Sequence, residues 1–240
     1  MANPLSQFTI KPLIPIEIAG YDVSFTNSSL AMVLTTLLIL TLQYFSVRGN
    51  RIIPNRLQAS IETLYSFVAN ILQESAGKQG MKYFPFVFSI FLFILFGNLL
   101  GMVPYSFTFT SHIIVTFALA LFVFISVTLI GLVRHGLKFF SLFFPSGVPL
   151  AVAPILIPIE IISYLARPVT LSVRLFANMM AGHIFLKIFA GFTVSLGLWG
   201  IAPLAFNVVF TGFEFFVAML QAYVFTVLTC IYLHDAIHLH

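Results

Sequence analysis

The stretch YFPFVFSIFLFILFGNLLGMVPYSFTFTSHIIVTFALALFVFISVTLIGL, residues 83–132, contains no Asp, Glu, Lys or Arg. A membrane-spanning helix needs roughly 20 apolar residues, so this stretch holds two such helices, with the turn residues PYSF from Pro104 between them. Further charge-free runs of spanning length cover residues 23–47, 188–213 and 215–234. The whole chain of 240 residues is 60% hydrophobic and 8% charged, against about a quarter charged in a soluble domain, and its mean hydropathy is +1.07. That composition excludes a water-soluble globular protein. The apolar blocks are continuous and not alternating, which excludes a β-barrel. The chain is therefore an all-α polytopic membrane protein forming a single membrane domain over residues 1–240, with about five transmembrane helices and one interfacial amphipathic helix.

The net charge of +4 comes from 11 basic and 7 acidic residues. This surplus fits topology-fixing loops, and no basic patch marks nucleic acid as a partner. Cys230 is the single cysteine, so an intrachain disulfide and a cysteine-based metal cluster are both excluded. The opening MANPLSQFTIKPLIPIEI lacks the pattern of a signal or transit peptide. Residues 1–27 read as an outside leader, with Lys11, Glu17 and Asp22 solvated, and the Asn-Ser-Ser sequon at Asn27 reads as a chance match.

The first span, residues 28–47, is followed by Arg48, Arg51 and Arg56, with Lys78 and Lys82 further on. The positive-inside rule places that loop inside and the N-terminus outside. Within residues 54–76, Leu57, Ile61, Leu64, Tyr65, Val68, Ile71 and Leu72 recur at helical spacing opposite Gln58, Glu62, Ser66, Asn70 and Gln73. Such a helix is expected to lie flat in the membrane interface, started by Pro54 and Asn55 and stopped by Gly77 and Gly80. The second span, residues 83–103, carries Gly97 and Gly101 in GNLLG, a spacing that lets another helix approach. The third, residues 112–133, ends at Arg134, His135 and Lys138, again inside.

Residues 148–189 are helix-compatible yet hold Glu160, Arg167, Arg174, His183 and Lys187. A straight helix of that length measures about 63 Å against a hydrocarbon core of about 30 Å, so it must tilt strongly or break. Residues 202–233, about 48 Å long as a helix, carry Asn207, Glu214 and Gln221. Cutting this region into three upright spans would put Arg167 and Arg174 outside, against the charge rule. Two long tilted helices forming a hairpin, its turn within residues 195–200, are expected instead.

At about 100° per residue, Glu160, Arg167, Arg174 and Asn178 share one helix face, although Pro158 and Pro168 bend such arithmetic. Asn207, Glu214 and Gln221 form a heptad stripe on the other helix. A charge at membrane depth costs at least about 2.5–3.5 kcal/mol and by default faces a cavity or a partner. Arg167 and Lys187 have the plainer alternative of snorkelling to the interfaces, with Glu160 pairing Arg167. Arg174 has no acid within four residues, so a purely structural role explains it poorly. His183 and Glu214 form the hairpin's one combination able to exchange protons near neutral pH, since histidine titrates near about 6.5; a structural His–Glu pair is the alternative. His234, His238 and His240 read as an interfacial tail and not as a metal site. The 29 Phe residues read as lipid-facing bulk. No phosphate-binding glycine loop and no nucleophile–base motif occurs, so neither ATP binding nor covalent catalysis is expected, and no cofactor is implied. A proton-coupled secondary transporter remains possible on these grounds, although no internal repeat of the usual kind is visible.

Three segments carry a family resemblance: ARPVTLSVRLFANMMAGH (residues 166–183), LLGMVPYSFTFTSH (residues 99–112) and LQAYVFTVLTCIYLHDAIHLH (residues 220–240). Together they resemble subunit a of the F-type ATP synthase, the proton-channel stator subunit, and the likeness runs over essentially the whole chain. The resemblance implies that Arg174 faces the ring of c subunits and separates two half-channels. It implies that Glu160 lines the inner half-channel, and that Asn178, His183, Glu214 and Gln221 line the outer one. His183 with Glu214 resembles the mitochondrial and alphaproteobacterial arrangement. The implied partners are the c-subunit ring, b-type peripheral-stalk subunits, other membrane subunits of the complex and the lipid bilayer. The implied location is an energy-transducing inner membrane, bacterial or mitochondrial, with the N-terminus outside and the C-terminus inside.

Overall fold

A computed structural model of the chain describes residues 8–18, 21–22, 24–48, 54–103, 106–143 and 153–238. Pro104 and Tyr105 of the PYSF turn, the start of the first long helix at residues 148–152, Arg51 and His240 lie outside the described residues. The leader forms two nested antiparallel pairs: β1 (Pro12–Ile14) with β4 (Phe25–Thr26), and β2 (Glu17–Ile18) with β3 (Tyr21–Asp22). The leader expected to be simply solvated is therefore ordered by short strands, although Lys11 and Glu17 are exposed. Asn27 is no idle sequon asparagine, because its side chain bonds the backbone of Thr9 and Lys11.

Six α-helices follow among the described residues: α1 (Asn27–Arg48), α2 (Arg56–Gly80), α3 (Phe84–Gly101), α4 (Ile113–His135), α5 (Ala153–Ser195) and α6 (Ile201–Ile237). Five segments among the described residues are long and apolar enough to cross a membrane, α2 and α3 together counting as one. Asn55 caps α2 by accepting from the Arg56 N–H at 2.8 Å. Gly77 interrupts α2 with φ 66° and ψ −170°, a conformation that only glycine adopts without strain, and the chain turns there toward α3. The apolar face of α2, expected to meet the interface, is instead partly covered by protein. Val68, Ile71, Leu72 and Ala76 pack into the core, which includes α6, while Leu57 and Tyr65 stay exposed.

The core centres on α3, whose Val87, Leu92, Ile94 and Leu95 are buried, and on the face of α6 carrying Ala218, Ala222, Phe225 and Leu233. Hydrophobic burial gains nothing between helices in lipid, so close packing through small residues and a few polar bonds hold such a bundle. Asn98 of α3 supplies one bond, donating its Nδ2 to the Ala218 carbonyl at 3.2 Å. Gly97 and Gly101 admit a close neighbour as expected, but it is not another helix. A Cβ at Gly97 would overlap the Phe109 ring, and one at Gly101 would overlap Thr108. The connection before α4 folds back onto α3 at these points.

The 43-residue α5 stays helical through Pro158 and Pro168 and, at about 64 Å, is twice the hydrocarbon thickness. It reverses into α6 through Leu196 and the 3-10 turn Gly197–Gly200, where Gly197 takes φ 56°. The outer faces of α1, α5 and α6 present Leu37, Leu40, Ile162, Val208 and Phe213 outward, the belt expected of a lipid-facing surface.

Candidate functional site

The turn fixes the register of the antiparallel hairpin. Moving along α5 from His183 back to Asn178 and Arg167 is matched on α6 by moving from Glu214 forward to Gln221 and Asp235. His183 Nδ1 lies 3.8 Å from Glu214 Oε1. Asn178 Nδ2 donates to Gln221 Oε1 at 2.7 Å. Arg167 meets Asp235 at 3.0 Å, with its guanidinium over the rings of Tyr164 and Tyr232 at 5.1 and 4.9 Å.

The last pair corrects the alternative in which Glu160 neutralises Arg167. The acid comes from the far end of α6, because the hairpin register, and not spacing along α5, decides the neighbour. Glu160 is half-buried and makes no ion pair or side-chain hydrogen bond among the described residues. The expected common face of Glu160, Arg167, Arg174 and Asn178 is split: Arg167 and Asn178 turn to α6, while Arg174 is exposed. Arg174 stands halfway along α5 and likewise has no ion pair or side-chain hydrogen bond among the described residues.

Glu214 is 3% exposed, and neither of its carboxylate oxygens has a hydrogen-bond partner among the described residues. The adjacent Gly182 makes room for it, since a Cβ there would overlap the carboxylate. On the other side of His183, Nε2 lies 3.1 Å from Thr108 Oγ1. Thr108 donates its one hydroxyl proton to the Gly101 carbonyl at 3.0 Å, so toward His183 it acts as acceptor. That puts a proton on Nε2 and turns Nδ1 toward Glu214. A neutral imidazole of this tautomer and an ionised carboxylate would present lone pair to lone pair; the arrangement is satisfied when one further proton resides on the pair.

A cavity of about 710 Å³ reaches His183 from the leader side, lined by Lys11 and Asn27 from the leader end, Thr108 from the connection before α4, and His183, Lys187 and Asn207 from the hairpin. The Asn207 Oδ1 and Gln221 Nε2 atoms are buried without partners among the described residues, as polar atoms are where water completes the bonding.

Reading the sequence alone missed Thr108, Asp235 and the two tyrosines. Thr108 lies in a segment with no periodicity to place it. Asp235 had a signal: it is the single acid after Glu214, and an acid at the open end of a hairpin needs a cation across from it. Of the C-terminal histidines, His234 belongs to α6 and its ring lies 4.6 Å from that of His238. No group of three metal-ligating side chains occurs among the described residues.

Comparison with known proteins gives a consistent result. The family model described as ATP synthase A chain matches residues 29–234. The chain is 58% identical over 241 residues to ATP synthase subunit a of Rhodospirillum rubrum, with both chains covered in full. It is 56% identical over 247 residues to ATP synthase subunit a of Paramagnetospirillum magneticum, again over the full length of both.

Proposed function

The chain belongs to the ATP synthase A chain family, the proton-channel stator subunits of the F-type ATP synthase, and on that premise we propose how its residues divide the proton's route. It is a multi-pass protein of the energy-transducing inner membrane and works within the ATP synthase complex. The leader-side cavity is the outer half-channel, with Asn207 along its wall and His183, Glu214, Asn178 and Gln221 at its end. Glu160, toward the other end of α5, lines the inner half-channel. The N-terminus lies outside and the C-terminus inside.

The observation that carries this reading is the contrast between two groups on one hairpin: a buried His183–Glu214 pair beside a cavity, and an exposed Arg174 with no ion pair or side-chain hydrogen bond among the described residues. Arg174 lies nine residues, roughly 13 Å along the axis, from His183 and fourteen residues, roughly 21 Å, from Glu160. A guanidinium remains protonated at any cellular pH, so it does not relay protons. Facing outward at membrane depth it requires an anion from another chain, and a carboxylate on each subunit of the c ring supplies one. A proton then crosses by boarding a ring carboxylate from the His183 side and leaving on the Glu160 side after the ring has turned. The membrane potential contributes about 2.3 kcal/mol per charge per 100 mV, which the block at Arg174 directs into rotation. The b-type stalk subunits and other membrane subunits hold this chain against the ring. The chain's own part is proton conduction, and nucleotide chemistry belongs to other subunits of the complex.

Sided labelling tests the division. Cys230 is buried, so after its replacement by Ala, single cysteines at positions 207 and 160 report access from each side. A water-soluble thiol reagent is expected to reach position 207 from the outside only and position 160 from the inside only. Reaction of one position from both sides would indicate the alternating access of a secondary transporter.

A further inference from the structure

The leader, which the proton route as described does not use, places one aromatic ring against His183. Phe8 is half-buried and lines the same cavity as His183. Its ring centroid lies 6.5 Å from that of His183 and 6.5 Å from that of His112, edge-on in both cases with interplanar angles of 65° and 77°. Phe107 stacks on His112 at 5.1 Å and 14°, and the next residue, Thr108, is the one that meets His183 Nε2.

Phe8 is held in place from a distance. Asn27, the first residue of α1, donates its Nδ2 to the Thr9 carbonyl at 3.2 Å and accepts the Lys11 N–H on its Oδ1 at 3.1 Å. Its own N–H donates to the Lys11 carbonyl at 3.2 Å. The β1–β4 pairing adds a second tie between the leader and the start of α1. These bonds fix the backbone immediately after Phe8, so its ring comes to the cavity with little freedom. His183 needs that constraint. On its Glu214 side stands Gly182, which has no side chain to restrain the imidazole, and on its open side is the cavity. A ring rotation would take Nε2 off Thr108 and Nδ1 away from Glu214 together.

We propose that Phe8 is a positioning residue for proton uptake: clipped in place by Asn27, it restrains the His183 imidazole in the orientation that joins Thr108 to Glu214, so that the leader is part of the outer half-channel. This rests on the half-channel reading above. The leader acts here through packing alone and exchanges no proton itself.

The test is proton-driven ATP synthesis in membranes carrying the assembled complex, after acidification of the outer compartment, with subunit content measured alongside. Phe8→Ala is expected to lower the rate about three- to tenfold at normal assembly, the range that corresponds to one edge-to-face ring contact. Phe8→Tyr, which keeps the ring edge, restores most of the rate. Asn27→Ala, which removes the side-chain bonds that hold Thr9 and Lys11, lowers the rate in the same direction and by less. In a His183→Ala background, Phe8→Ala has no further effect, because the ring it restrains is gone. If Phe8→Ala does not assemble, Phe8→Leu keeps the apolar bulk without the ring and carries the same expectation. A wild-type rate for Phe8→Ala beside an impaired His183→Ala overturns the positioning role alone. An equal loss from Phe8→Ala with and without His183 also overturns it, by showing that the leader acts elsewhere. A wild-type rate for His183→Ala overturns the half-channel reading itself.

Discussion

The two ends of the α5–α6 hairpin treat polar groups in opposite ways. At the open end, Arg167 and Asp235 neutralise each other at 3.0 Å between the rings of Tyr164 and Tyr232, and Tyr164 bonds Thr128 of α4 at 2.7 Å. Every member of that cluster has its partner inside the chain. Toward the turn, Glu214 is buried with both oxygens unbonded, and the Gln221 Nε2 and Asn207 Oδ1 atoms are idle among the described residues. Buried polar atoms are ordinarily satisfied, so the open end reads as architecture and the turn end as a site waiting for water and protons. Arg174 stands between the two, exposed and with no ion pair or side-chain hydrogen bond among the described residues.

That contrast breaks most visibly at Glu214. Glu214→Leu is expected to reduce proton-driven ATP synthesis at least tenfold while leaving assembly normal, since the carboxylate makes no bond that the fold depends on. ATP synthesis and subunit content in the same membranes check both halves, and a lost subunit would move Glu214 into the architectural class. Arg167→Ala is expected to do the reverse. It strands Asp235, costs about 1–3 kcal/mol, and lowers the amount of assembled subunit several-fold; the Arg167→Ala/Asp235→Ala double variant recovers part of it, as quantified by immunoblot of membranes. A smaller effect is expected from Gly182→Ala, whose methyl group displaces the Glu214 carboxylate from His183: proton uptake slows about threefold with the helix intact. Asn178→Ala, which removes one neutral hydrogen bond to Gln221, is expected to slow uptake by about twofold or less, measurable as passive proton flux through the complex after the catalytic head is stripped away.

The sequence carried the membrane class, the long hairpin and its turn because these follow from charge-free length and from one-dimensional periodicity. The pairing of Asn178 with Gln221 and of His183 with Glu214 was within reach for the same reason: a turn near residues 195–200 sets an antiparallel register. The alternative that paired Arg167 with Glu160 chose the wrong acid because its arithmetic stopped at one helix, and extending the register across the turn leads to Asp235. The α2 face was read as interfacial because an amphipathic stripe does not say whether lipid headgroups or another helix will cover it; packing with α6 claimed Val68, Ile71 and Leu72. Phe8, Thr108 and His112 were beyond sequence reading. Each lies in an irregular or leader segment, and the meeting of Phe8 and Thr108 with His183, and of Phe8 with His112, depends on how the leader and the connection before α4 fold back over α3.

The central claim is that Arg174 completes its electrostatics outside its own chain and bars protons from passing directly between the two half-channels. The direct measurement is ATP-driven proton pumping, passive proton flux and subunit content in membranes carrying Arg174→Ala and Arg174→Lys. The account predicts normal content, no pumping and an open passive leak for Ala. For Lys it predicts only partial pumping, since an ammonium lacks the planar fork and loses its proton on desolvation. Normal pumping by the Ala variant would contradict the account, and so would loss of the Ala subunit from the membrane together with full tolerance of Lys, which is the behaviour of an arginine that only holds the fold.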